Sequence, residues 1–249
     1  MDAILSHFSS APVRDAWGSE ISRQHVERYL VSGTHRWSLI AKAVTRRTPR
    51  GARVLDVGTA YGALPLMLAE QGYRVAATDF PGMRECYGRP LTAKGIPITE
   101  WDLHRTDAPL AERFDAVVCS EVLEHLHISL DIAIGRLAKL VAPGGILILT
   151  TPNLARLPNI LRLLAGRNII EPFPDVPPFV NEIVVDHRAH PREPVLRELA
   201  GAAKRAGLHV TERRTFNEMG GASWKRRLAY ALAPAPYRMQ CFLVAKRAQ

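Results

Sequence analysis

Arg53-Val-Leu-Asp-Val-Gly-Thr-Ala-Tyr-Gly62 decides the fold. Arg53 to Val57 reads as a buried strand. It runs into a turn with glycines at 58 and 62, and Leu64 to Gln71 then carries helical spacing until Gly72 stops it. A strand that feeds a helix through a glycine turn opens a βαβ unit. Such a turn lets a ligand approach the backbone, because glycine has no Cβ and accepts positive φ. Working outward, Tyr73 to Asp79 reads as a second strand that ends in an acid, and Ile96 to Trp101 as a weaker third. Phe114 to Ser120, Ile146 to Thr151, Leu208 to Arg214 and Cys241 to Lys246 follow as further strands. Ser129 to Val141 and Val195 to Ala206 have helical spacing, closed by Pro143-Gly144-Gly145 and by Gly207. This alternation predicts an α/β fold, doubly wound around a mostly parallel seven-stranded sheet. The last strand follows a separate helical piece and is free to insert antiparallel.

Two regions break the rhythm. Residues 1–48 are expected to form an N-terminal helical cap, in which 18–48 carry Arg28, Tyr29, Thr34, His35, Arg36 and Trp37. Residues 49–249 form the main domain. Within it, 154–194 hold Pro158, Pro172, Pro174, Pro177, Pro178, Pro191 and Pro194 after the fifth strand. That is long for a connector, and ligands bind at the carboxyl ends of strands in open α/β sheets. The segment therefore reads as a lid-like insertion.

Composition bounds the rest. The chain has 249 residues, 47% hydrophobic and 23% charged, which excludes collagen-like and broadly disordered classes. The first residues lack a basic-then-apolar signal pattern, and no stretch approaches the roughly 20 apolar residues of a spanning helix. Cys86, Cys119 and Cys241 are odd in number and widely spaced, so neither a disulfide framework nor a cysteine-rich zinc site is indicated. A cytoplasmic setting is expected. The net charge of +9 raises the prior for an acidic partner without choosing one.

The turn Gly58-Thr-Ala-Tyr-Gly62 lacks the dinucleotide fingerprint G-x-G-x-x-G, which argues against a nicotinamide cofactor. Asp79, about twenty residues after the first strand, can accept from two ribose hydroxyls. Together with Ala76-Ala-Thr-Asp79, Glu100-Trp-Asp-Leu103, Phe114 to Leu126 and Leu140 to Asn153, the turn resembles the ordered motifs of the class I S-adenosylmethionine-dependent methyltransferases. The likeness is close over roughly 50–155 and looser to the end.

The resemblance implies a Rossmann-like methyltransferase fold and S-adenosyl-L-methionine as cofactor. It places Asp56, Gly58, Thr59, Ala60 and Gly62 at the methionine and ribose parts. Asp79 would hold the ribose hydroxyls, with Phe80 on the adenine. Asp102 and Leu103 would flank the adenine, and Ser120 and Glu121 the methyl-bearing end. Where the family often has glycine this chain has Ala60, which removes the permission for positive φ there.

An oxygen nucleophile needs a base or a metal to lose its proton. Glu121, Glu124 and His125 would share one face if a helix starts after the fourth strand, and could hold a divalent metal. Some quinone-biosynthesis O-methyltransferases and small-RNA 2′-O-methyltransferases use this pattern for metal, but it also occurs in members without one. Asp186-His-Arg-Ala-His190 adds His187 or His190 as a candidate base. The expected catalytic set is thus Glu121, His125 and His187.

The reading favours methyl transfer to a small-molecule or glycan-like acceptor at oxygen, with an anionic acceptor as a corollary of the charge. The alternatives are a metal-dependent RNA 2′-O-methyltransferase and a noncatalytic cofactor-binding protein. No RNA-binding module is visible, so nucleic acid is not favoured. Trp224 to Ala233 has amphipathic character, a weak sign of peripheral membrane contact.

Overall fold

The computed structural model describes residues 2–10, 12–14, 20–170, 190–218, 220 and 223–249. A short antiparallel ribbon of β1 (Val13–Arg14) and β2 (Glu20–Ile21) precedes the main sheet. That sheet comprises β3 (Arg53–Val57), β4 (Arg74–Asp79), β5 (Ile98–Glu100), β6 (Phe114–Ser120), β7 (Val141–Pro152), β8 (Leu208–Phe216) and β9 (Gln240–Arg247). Its order is β5-β4-β3-β6-β7-β9-β8. The five strands from β5 to β7 are parallel, and β9 runs antiparallel to both neighbours.

Alternate residues of each strand enter two cores, because successive side chains of a strand point to opposite faces. Val54, Ala116, Val118, Ile146, Ile148, Phe242 and Val244 pack with α1 (Asp2–Ser10), α2 (Arg23–Thr45), α3 (Ala63–Glu70) and α4 (Arg84–Thr92). Leu55, Val117, Cys119, Leu147, Leu149, Leu243 and Ala245 pack with α5 (Leu130–Leu140) and α7 (Leu196–Arg205). A parallel strand covered on both faces reads as a continuous apolar run, which is why β6 and β7 were visible in the sequence. Each fully buried Leu, Ile or Val contributes about 1.5–3 kcal/mol.

Local chemistry sets the element ends. Ser22 Oγ accepts from the His25 N–H at 3.2 Å and starts α2. Ser129 Oγ accepts from Ile132 N–H at 3.3 Å and starts α5. The Glu198 carboxylate accepts from Val195 N–H at 3.0 Å and starts α7. β5 is shorter than the expected 96–101, since Pro97 has no N–H for the ladder and its carbonyl alone bonds Ala77. β7 is longer than expected: it begins at Val141 with no loop after α5, and the Pro143-Gly144-Gly145 turn is absorbed as a register shift against β6.

α2 contributes Val26, Leu30, Trp37, Ile40 and Val44 to the same core as β3. The expected insertion contains α6 (Leu157–Leu164), while 171–189, and with them His187, lie outside the described residues. The last helix is α8 (Trp224–Leu232). The strand order reverses between β3 and β6, so a crevice opens at their carboxyl ends.

Candidate active site

A cavity of about 870 Å³ occupies that crevice. The ends of β3, β4 and β6 form its floor through Val57, Gly58, Thr78, Asp79, Glu121 and Val122. Glu20, Ile21, His25, Arg28 and Tyr29, from β2 and α2, wall one side. Trp101, Leu103 and His104 lie on another, and His125 and His190 on a third.

The glycine turn is held from β4. Gly58 N–H and Thr59 N–H both donate to the Thr78 carbonyl, at 2.9 and 3.2 Å. Gly58 has φ +76°, and a Cβ there would stand 2.2 Å from Val122 Cγ2, so only glycine fits. Asp79 reaches across the turn. Its Oδ2 accepts from Ala60 N–H and its Oδ1 from Phe80 N–H, both at 2.7 Å. Ala60 sits at φ +49°, contrary to the expectation that alanine would keep out of that region. The bond to Asp79 and the neighbouring bonds to Thr78 over-determine the turn and hold the strained residue in place.

Burial pushes the Asp79 carboxyl up to about 6, against the lowering effect of the Phe80, Ala60 and Thr59 N–H groups. Asp56 lies fully inside β3, and burial pushes its carboxyl to about 7. The buried Thr78 hydroxyl has no partner within the described structure. An unused hydroxyl beside a glycine cradle, with an acid at its rim, suits a ligand carrying ribose hydroxyls.

Ser120 ends β6, with its Oγ 2.8 Å from Thr150 Oγ1. Glu121 follows at φ +55°; its N–H donates to Thr150 O at 3.0 Å and its Oε1 accepts from Thr150 Oγ1 at 2.9 Å. Instead of the helix expected here, the chain makes one 3₁₀ turn, Leu123–His125. The acidic and imidazole groups are therefore regrouped. Glu124 is buried and accepts from Thr151 Oγ1 at 3.0 Å. Burial, and then the Glu121 carboxylate, raise it well above the usual carboxylate range. Ligand atoms of Glu124, His125 and His190 lie within 4.8 Å of one another, with Glu121 outside that group. The His125 and His190 rings meet edge to face at 4.7 Å. His190 Nδ1 lies 3.1 Å from Glu193 Oε1, which fixes the ring.

Asp102 does not line the cavity. It accepts from His104 N–H at 2.9 Å and lies 3.2 Å from Arg105 Nε, while Leu103 beside it does face the cavity. Phe80 lines the cavity, as do Gly58, Ala60 and Asp79. Gly62 caps α3 at φ +77°, packed under Leu91.

Several groups escaped the sequence reading as a set. Arg36, buried in α2, donates to Glu218 Oε2 at 2.8 Å and lies 3.6 Å from Glu121 Oε2. Its Nε and Glu218 Oε1 are buried without partners within the described structure. Burial pushes the Glu218 carboxyl to about 7. Tyr29, one helix face from Arg36, packs its ring against Tyr61 at 4.9 Å, and burial pushes its hydroxyl up to about 12. The shared face of Tyr29 and Arg36 was a readable signal. The Arg36–Glu218 pair, 182 residues apart, was not.

Comparison with known proteins identifies the family. A family described as "Methyltransferase domain" matches residues 22–213, most of the chain. The chain belongs to the class I S-adenosylmethionine-dependent methyltransferases. A curated relative from Xylella fastidiosa strain 9a5c, named ubiquinone biosynthesis O-methyltransferase, is 30% identical over 68% of this chain and 66% of its own length. A protein of the same name from Xanthomonas campestris pv. campestris strain B100 is 37% identical over 41% of this chain and 44% of its own. The chain thus spans less than two thirds of the length of these curated relatives. Among solved structures, magnesium protoporphyrin IX methyltransferase from Synechocystis PCC 6803, with bound S-adenosylhomocysteine, matches at TM-score 0.58 and 17% identity, over 94% of this chain and 91% of its own. An S-adenosylmethionine-dependent methyltransferase from Mesorhizobium loti matches at TM-score 0.57 and 17% identity, over 83% and 96%. These two likenesses show the shared methyltransferase fold.

Proposed function

We propose that this methyltransferase transfers the methyl group of S-adenosylmethionine to a hydroxyl oxygen of a small molecule. One observation carries the reading: the Asp79 turn and the His125–His190 imidazole pair open into a single cavity. The relatives named O-methyltransferases support the choice of oxygen. The cofactor would supply an activated methyl on sulfur, so positioning can provide much of the rate enhancement. Asp79 would accept from the ribose hydroxyls, with Gly58 and Thr59 beneath them. Arg36 retains one buried N–H that a carboxylate could use. His125 would take the acceptor proton, and Glu121, held by Thr150 and Arg36, would keep that end of the cavity acidic. Arg28 lines the cavity and makes no ion pair within the described structure, which suits an acceptor bearing an acidic group.

A second reading rests on Glu124, His125 and His190. A carboxylate and two imidazoles this close could share a divalent ion, with Glu193 orienting His190 from behind. The ion would polarise the acceptor hydroxyl. An RNA acceptor is not favoured: the Arg46, Arg47 and Arg50 cluster lies between α2 and β3, at the amino edge of the sheet opposite the cavity.

Methyl-labelled cofactor offered to a panel of catechols, phenols and sugars, with and without chelator, tests both readings. We expect transfer to a hydroxyl, with His125→Ala lowering kcat about 100-fold or more while cofactor affinity stays unchanged. Unimpaired transfer by His125→Ala would remove it from the chemistry. Loss of activity on chelation, restored by a divalent ion, would establish the metal reading; activity that ignores the chelator would exclude it.

A further inference from the structure

Two helices at the carboxyl edge of the sheet present apolar side chains to water. α6 follows the end of β7, and α8 lies between the end of β8 and the start of the antiparallel β9, so both emerge at the edge where the cavity opens. Asn153 ties the two connections together. Its side-chain amide donates to Pro236 O at 2.9 Å and Arg238 O at 2.8 Å, and its N–H donates to Met239 O. On α6, Leu161 and Leu164 are 56% and 80% exposed. On α8, Trp224, Leu228 and Leu232 are 70%, 57% and 76% exposed and recur every fourth residue, which makes one stripe.

The charge carried by these two stretches of the sequence has one sign. Residues 154–170 contain Arg156, Arg162 and Arg167, and residues 223–239 contain Lys225, Arg226, Arg227 and Arg238. Neither stretch contains an Asp or Glu. Arg156 is paired with Glu193, whereas Arg162, Arg167 and Arg227 are exposed. Leucines and a tryptophan set among arginines, with no acid in either stretch, form the pattern of a helix that lies in a bilayer interface, where long basic side chains reach the headgroups. A second copy of this chain is a poor occupant, because a two-fold contact would set the same cations against each other.

We propose that this edge docks reversibly on an anionic lipid bilayer through α6 and α8. The proposal does not depend on the acceptor or on catalysis. The helices are short, so the insertion is shallow and needs the headgroup charge as well as the apolar stripe.

Co-sedimentation of the full chain with vesicles tests this, comparing phosphatidylcholine alone with mixtures containing about a third phosphatidylglycerol. Binding to the anionic vesicles only, weakened by salt, is the expected result. Arg162→Glu/Arg227→Glu should lower partitioning about 20-fold or more, since each cation near such a surface is worth about five-fold. Leu161→Glu/Leu228→Glu should lower it at least about ten-fold. Both pairs alter exposed side chains, and an unchanged melting temperature confirms folding. The control Arg46→Glu/Lys94→Glu makes the same charge change at the amino edge and should leave partitioning nearly intact. No binding to anionic vesicles, or equal binding to neutral ones, would overturn the proposal. So would indifference to the leucine pair, or an equal loss in the control, which would show diffuse attraction to a basic chain.

Discussion

Asp79→Asn separates a ligand-binding carboxylate from a structural one. Each Asp79 oxygen already accepts one backbone N–H, from Ala60 and Phe80 at 2.7 Å, and keeps a second lone pair toward the cavity. The asparagine amide has one acceptor and one donor, so one ribose hydroxyl loses its partner and one backbone N–H faces another donor. A hydrogen bond to a charged group is worth about 1.5–3 kcal/mol, which corresponds to roughly 10- to 150-fold weaker cofactor binding. The unpaired N–H costs about 1–3 kcal/mol of stability, and removal of a recessed charge offsets part of it, so affinity is the cleaner readout. Burial holds the wild-type carboxyl near 6, and it is the ionised form that accepts from the ribose. Protonation therefore competes with binding. Calorimetric titration with S-adenosylmethionine should show wild-type affinity constant above about pH 7 and falling about ten-fold per unit below about pH 6, while Asp79→Asn stays flat. Binding by the variant within about two-fold of wild type, or wild-type affinity that ignores pH across this window, would refute the placement of the ribose.

Two further substitutions probe the same turn. Ala60→Gly should relieve the φ of +49° and stabilise the apo protein by about 0.5–1 kcal/mol, after allowing for the flexibility of glycine. Scanning calorimetry should register this as a rise of about 1–4 °C, and a lower melting temperature would contradict it. Asp56 has a folded-state pKa raised to about 7 against about 3.9 for a free carboxyl, so the folded chain holds the extra proton between those values. Its contribution is complete below about pH 4 and is lost as pH rises through 7, on the order of 4 kcal/mol in all. Asp56→Asn should flatten this dependence and raise the melting temperature at about pH 8; equal pH profiles for variant and wild type would contradict the assignment.

The fold was legible because its signals are local. Val54-Leu-Asp-Val57 followed by glycines, and an acid closing the next strand, need no distant partner to be read, and both lie where the sequence put them. The site was legible only in part. Ala60 was read by its own propensity, but its conformation is set by Asp79, nineteen residues away. Glu121, Glu124 and His125 were read with helical spacing, yet Thr150 captures the backbone of Glu121 and leaves only a 3₁₀ turn. His190 meets His125, and Glu218 meets Arg36, through tertiary packing that no period in the sequence encodes.

Hydrogen exchange with and without saturating S-adenosylmethionine tests most directly whether the cofactor occupies the carboxyl-edge cavity. Protection is expected at residues 57–62, 78–83, 101–104 and 121–126, the segments that contribute to the floor and walls. Protection absent from 57–62 and 78–83 while the cofactor binds elsewhere would contradict the proposed site.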